Sequence, residues 1–331
     1  MAGACPCHSI FLIAERYETL VIQKKNPIDL LFSVITAGAS FMVILLVIGI
    51  FAILLKESSL SIGKFGFIKF IVTNEWNPVT ELFGAAASIY GTMVTTAIAL
   101  IIAIPIAIGI AVFVTEIATD FLKGPIGAAI ELLAAIPSII YGMWGLFTVA
   151  PIMTKYIEPA LQKSLGNVPL IGMLFQGTPM GIDLLTASVI LSIMIIPFTA
   201  SISRDAFNLT PAVVKESAYA VGATQWEVVR DVVLPYSKMG VFGGIVLSLG
   251  RALGETMAVA FVLGNNHQIT SSLFSAAATI TVTLANEFTE ADKDIYLSSL
   301  FHLALVLFMM SFIVLAAAKF LLFKAERKIN R

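Results

Sequence analysis

Long apolar runs alternate with short polar stretches along most of this chain, and that alternation predicts its elements. About 20 mainly apolar residues suffice for a helix to cross a bilayer. Six runs qualify: Leu30–Leu55, Gly84–Thr115, Ile126–Met153, Ile182–Ser203, Gly240–Leu263 and Leu297–Phe323. The second and third are long enough to tilt or to extend beyond the bilayer. Proline stands inside three runs, at Pro105, Pro137 and Pro197, and each removes a backbone donor and favours a bend. Such bends are tolerated in a membrane where protein or a cavity meets the freed carbonyls.

One polar segment between the fourth and fifth runs has its own helix grammar. Thr210 is placed to cap a helix that opens with Pro211. Gly222 supplies a left-handed stop. Thr224, with Glu227 three residues later, forms a capping box that starts a second short helix, which Leu234-Pro235 closes. The segment therefore reads as two short helices joined at Gly222 and lying outside the membrane.

Composition supports the membrane reading. The chain has 331 residues, of which 58% are hydrophobic and only 12% charged, and a soluble domain carries roughly twice that charged share. A net charge of −1 gives no argument for nucleic acid. Cys5 and Cys7 are too few for a disulfide framework, and Cys5-Pro6-Cys7-His8 has no second ligand pair near it, so no metal is expected. Residues 1–29 mix Glu15, Arg16 and Glu18 with short apolar clusters and read as a cytoplasmic or interfacial segment, not a signal peptide. No Gly-X-X-X-X-Gly-Lys-Ser/Thr loop and no His-Glu-X-X-His occurs, and His8, His267 and His302 stand apart. The chain is thus expected to be no enzyme, with no catalytic residue, no metal and no cofactor of its own.

Lysine and arginine set orientation. One side, which receives Lys24, Lys25, Arg204, Lys215, Arg230 and Lys328 among others, carries about twice as many as the side with Lys56, Lys64, Lys155 and Lys293. Both termini and the Glu216 segment are therefore expected to be cytoplasmic. Three connectors, around Lys56–Phe83, Thr154–Gly181 and Gly264–Tyr296, face outward.

The fifth run holds two charges. Arg251 lies roughly 20 Å into the bilayer at helical rise, and an arginine there costs about 3 kcal/mol on insertion scales. Glu255 is four residues on, hence on the same helical face, although arginine before glutamate is the weaker order for such a pair. Gly240, Gly244 and Ser248 continue that stripe, which predicts a helix–helix seam. Arg251 either locks the seam or meets an oxyanion on a translocation path, to which its planar donors are suited. Glu131 sits either at the membrane boundary or deeper, as a partner of Arg251 or Arg204.

The order Glu216-Ser217-Ala218, Gly222, then Val232-Val233-Leu234-Pro235 resembles the EAA motif in the cytoplasmic coupling loop of bacterial ABC-importer permeases, with Ser217 and Val232 as mild departures. Two further stretches, Glu131–Gly145 and Leu249–Ala258, together with Ser217–Gly222, resemble the PstC-type permeases of phosphate-specific ABC importers. The resemblance runs from about Leu30 to Lys324. It implies an all-α polytopic membrane protein with six transmembrane helices and the type I importer (MetI-like) fold. The first helix would occupy 30–55 and the permease core 84–323, with a coupling loop at 204–239 and a tail at 324–331. It further implies a bacterial inner-membrane location and ATP-driven import of phosphate by alternating access. The implied partners are a second permease of PstA type, two ATPase subunits of PstB type and an extracytoplasmic phosphate-binding protein of PstS type, within membrane lipid. Residues Glu216, Ala218, Gly222, Trp226, Val229, Leu234 and Pro235 would form the coupling loop, with Trp226, Val229 and Val233 as docking face or as packing onto the chain's own helices. Other readings stay open: a permease for sulfate or molybdate, a carrier or channel without an ATPase, or a mainly signalling membrane component.

Overall fold

The structure, a computed structural model, describes residues 27–169 and 172–329. Cys5, Cys7, His8 and most of the predicted N-terminal segment lie outside them, as do the last two residues of the tail. Among the described residues the elements are helical, and the only β-type pairing is two isolated bridges, Asn77 with Leu82 and Gly264 with Ala277.

The chain divides into two units, one ending at Ile53 and the other beginning at Leu54. Helix α1 (Pro27–Glu57) carries the first. It is apolar on every face between Asp29 and Lys56, the pattern of a helix surrounded by lipid or by another apolar chain.

The second unit begins with α2 (Ser59–Phe65) and α3 (Phe67–Val72), so the predicted 56–83 connector is partly helical. Next come α4 (Ala86–Ile117), α5 (Asp120–Ala134) and α6 (Ser138–Leu165). Then follow α7 (Leu184–Asn208), α8 (Ala212–Ala220), α9 (Gln225–Leu253), α10 (Met257–Ala260), α11 (Ile280–Glu287) and α12 (Asp294–Ile329). Among the described residues five helices are long and apolar enough to cross a membrane, and the count is six if α5 and α6 together form one bent span.

Helix α7 is the most enclosed of the spans. Asp183 caps it by accepting the Thr186 N–H at 2.8 Å, and Ala187, Ile190, Leu191, Met194 and Ile195 fill the core around it. Helix α4 lies along α7 more extensively than any other pair. Ala99, Ala103, Ala107 and Ala111 recur every fourth residue on α4, and all are fully buried. Such a stripe lets two backbones approach closely where lipid offers no hydrophobic drive for association.

Two predicted spans are corrected. The third run, Ile126–Met153, is two helices bent by 89° between Ala134 and Ser138. Pro137 removes a donor and disfavours helical geometry at Ile136, so the chain breaks there. Pro105 and Pro197, by contrast, sit inside unbroken helices. The fifth run starts earlier and ends earlier than Gly240–Leu263. Its helix begins at Gln225, runs on through Pro235 and stops at Leu253. Leu234-Pro235 therefore does not close the second short helix. A π-helical turn at Val229–Val233 precedes the proline, which sits in the first turn of the segment that follows, where its missing N–H is tolerated.

Candidate functional site

The 210–235 segment is held on the ends of three long helices. Its first helix starts one residue later than predicted: Pro211 occupies the cap position, while the Thr210 hydroxyl is buried without a partner. Gly222 has φ +90°, the left-handed stop expected of it. The capping box is present: Thr224 N–H donates to the Glu227 carboxylate at 2.7 Å, and Glu227 N–H returns a bond to the Thr224 hydroxyl at 3.4 Å. The Thr224 hydroxyl also donates to the Glu227 carboxylate, at 2.8 Å. Lys215 pairs with Glu116 at the end of α4, and the Gln225 amide donates to the Glu116 carbonyl at 2.6 Å. No feature near Glu116 in the sequence signals that mooring, which joins residues about a hundred positions apart.

The predicted docking residues do not share one surface. Val233 is buried with Val228, Phe207, Ala206 and Val241, and Val229 is buried as well, so both valines face into the chain. Trp226 alone of the three is exposed, at 65%. Val213, Tyr219 and Val221 join it as exposed apolar side chains on or beside α8. Glu216, Gly222 and Pro235 are exposed, and Ala218 and Leu234 are half-buried. A water-facing protein seldom leaves such an apolar group uncovered unless another surface meets it.

Deeper in α9, the predicted seam is present. A Cβ on Gly240 would lie 2.6 Å from the Ala206 Cβ, and one on Gly244 would lie 2.8 Å from the Ile202 side chain, so only glycine fits at this crossing with α7. Ser248 and Thr199 share a hydrogen bond of 2.6 Å across it. The Arg251–Glu255 pair does not form. The helix ends at Leu253 with Gly254 as its cap, and the turn carries Glu255 away from the face that holds Arg251. Glu255 instead accepts the Ala258 N–H at 3.1 Å, while its own carbonyl accepts the Thr281 hydroxyl at 2.7 Å. Arg251 lies over the Phe198 ring at 5.5 Å with its Nε buried and unpartnered, and among the described residues no carboxylate pairs with it. Glu131, with its carboxylate largely exposed, pairs with Arg204 at 2.8 Å, one of the two partners expected for it.

Residues 107–326 match the family described as binding-protein-dependent transport system inner membrane component. The phosphate transport system permease protein PstC of Mesorhizobium japonicum is 50% identical over 300 residues, covering 91% of this chain and 91% of that protein. The PstC of Pasteurella multocida is 49% identical, covering 92% of this chain and 94% of its own. The chain belongs to the PstC family of transport permeases. Among solved structures, an inward-facing MetNI methionine ABC transporter chain superposes with a TM-score of 0.53 at 17% identity, covering 78% of this chain and 100% of that one. This likeness establishes the fold, the type I importer arrangement expected from the sequence. The permease is a multi-pass membrane protein and a transport subunit, not an enzyme. The family's description makes its members inner membrane components of binding-protein-dependent transport systems.

Proposed function

We propose that this permease imports inorganic phosphate as one half of a heterodimer with a PstA-type permease, driven by two PstB-type ATPase subunits and supplied by a PstS-type binding protein. The observation that carries the substrate assignment is the 50% identity, over 91% of the chain, to a phosphate transport permease. The orientation proposed has both termini and the 210–235 segment in the cytoplasm, as the lysine and arginine bias requires. The exposed group Val213, Tyr219, Val221 and Trp226 then meets a groove on the ATPase. ATP is bound and hydrolysed on that separate chain, and this chain needs no cofactor.

The mechanism proposed is alternating access. Closure of the ATPase pair moves α8 and the start of α9 together, because Lys215 and Gln225 tie them to the end of α4. Since α9 is continuous from Gln225 to Leu253, a push at its start is transmitted along a rigid rod to Arg251. Among the described residues Arg251 has no carboxylate partner, so its guanidinium is available to a phosphate oxygen in transit.

The test is uptake of labelled phosphate by cells lacking this chain, with and without its return, and with sulfate and molybdate as competitors. Restored uptake that only phosphate suppresses is the expected result. Suppression by sulfate or molybdate at equal concentration would reassign the substrate.

A further inference from the structure

Two carboxyl groups meet where the end of α6 comes against the start of α7. Glu158, in the last third of α6, and Asp183, the cap of α7, are both fully buried. Thr186 joins them: its N–H donates to Asp183 Oδ1 at 2.8 Å, and its hydroxyl donates to Glu158 Oε1 at 3.4 Å. The two carboxyl groups stand within hydrogen-bonding reach of each other. The second oxygen of each, Glu158 Oε2 and Asp183 Oδ2, is buried and has no donor. Gly181, with φ +69°, brings the preceding loop down on α6, and a Cβ there would strike the Ala150 carbonyl and the Thr154 hydroxyl. Glu158 lies beyond the apolar part of α6, between the exposed Lys155 and Lys163, in the connector predicted to face outward.

Among the described residues no lysine, arginine or histidine makes an ion pair with either carboxyl. The other titratable groups of α6 are Tyr141, Lys155, Tyr156 and Lys163. Tyr141 donates to the Leu133 carbonyl at 2.9 Å, and the rest are exposed. Helix α7 carries none before Arg204, and residues 172–182 carry none. Residues 257–279 carry only His267, which stands 3.2 Å from Glu287. On α4, Tyr90 donates to the Thr270 carbonyl at 3.0 Å, and Glu116 pairs with Lys215 at the other end. Among the described residues no group of three His, Cys, Asp or Glu stands close enough to hold a metal ion. Two carboxylates sealed from water without a cation repel each other, and each loses its hydration. Burial and the Asp183 carboxyl beside it push the Glu158 carboxyl up to about 7. A proton on Glu158 Oε2 makes that oxygen a donor to Asp183 Oδ2 and satisfies both orphaned atoms at once.

We propose that Glu158 and Asp183 form a proton-binding site: they share one proton, which pins the end of α6 to the start of α7 and makes transport sensitive to pH on that face. Loss of the proton leaves two facing carboxylates and loosens this end of the helix pair. The face is outward in the orientation proposed above, and only the side that is sensed rests on that reading. The folded value of Glu158 lies above its ordinary 4.5, so the stabilisation is whole below about pH 4.5 and is lost as pH rises through about 7.

The experiment uses the complete transporter and two conservative variants. Glu158→Gln puts a permanent donor where the proton stands, and Asp183→Asn does so from the other side while keeping an oxygen to cap Thr186. Melts run between about pH 5 and about pH 8 should show wild type losing more stability than either variant. Each variant's melting point relative to wild type should therefore climb across that window by at least about 3 °C. The same offset at every pH would overturn the shared proton. Infrared difference spectra between those limits test wild type directly: it should lose a protonated-carboxyl C=O band that Glu158→Gln lacks, and identical spectra would overturn the proposal. In proteoliposomes supplied with the binding protein, the uptake of Glu158→Gln relative to wild type should change at least about twofold when pH is stepped on the binding-protein side alone. A ratio indifferent to pH on both sides would overturn the sensing role and leave the proposed function standing. A ratio that follows only the opposite side would overturn the proposed orientation and leave the shared proton standing.

Discussion

Arg251 shows how much a single helix end decides. On a continuous helix, positions four apart share a face, and an ion pair with Glu255 follows. The helix stops at Leu253, so among the described residues Arg251 has no carboxylate partner and lies over the Phe198 ring. Arg251→Gln should lower phosphate uptake at least about tenfold while the complex still purifies intact, because the side chain holds no structural ion pair. Normal uptake would remove its assigned role. Gly222 was legible from sequence alone, since a left-handed residue is required between the two short helices. A Cβ there meets nothing within 4 Å, so Gly222→Val acts through backbone strain alone, about 1–2 kcal/mol. Its expected effect is more ATP hydrolysed per phosphate moved, read as the ratio of the two rates in proteoliposomes. Glu287 was not legible, because its partners Trp76, His267 and Tyr296 come from three separate parts of the chain. Its carboxyl is held below the ordinary range, so its contribution is fully present above about pH 4.3 and is lost as pH falls through the folded value. Glu287→Gln should lower stability at neutral pH by about 2 kcal/mol and flatten that acid limb, as read from thermal melts of the detergent-solubilised complex across pH.

At the scale of elements, the start of α9 separates two kinds of residue that the sequence places together. Trp226, Val229 and Val233 share a helical stripe, yet only Trp226 is exposed. The π-helical turn at Val229–Val233 and the ends of α4 and α7 bring the valines inward. Trp226→Ala should leave the permease's own melting point nearly unchanged and weaken copurification of the ATPase at least about tenfold. Val233→Ala should do the reverse: a loss of about 1–2 kcal/mol in stability from the vacated core, with docking reduced only as folded permease is lost. The apolar runs themselves were readable as spans. The bend in the third was visible only as one proline among three, because Pro105 and Pro197 stand in equally apolar surroundings and leave their helices unbroken.

For the whole molecule, helix α7 explains why the unit from Leu54 onward holds together. Its neighbours approach on small residues, the alanine stripe of α4 on one side and Gly240 and Gly244 of α9 on another. Close backbone packing replaces the hydrophobic drive that lipid cannot supply. A single bulky change at Gly240, such as Gly240→Leu, should therefore abolish assembly of the transporter, measured as loss of the full complex on gel filtration. The sequence by itself determined the membrane class, the approximate spans, the capping box, the left-handed stop and the family resemblance. These rest on local patterns, on bilayer thickness and on backbone conformations that neighbouring residues dictate. Only the tertiary structure decided which proline breaks a helix, that Arg251 and Glu255 part company, that Val229 and Val233 face inward, and that Glu287 gathers three donors. Each of these depends on side chains far apart in the chain meeting in space, and no local periodicity carries that information.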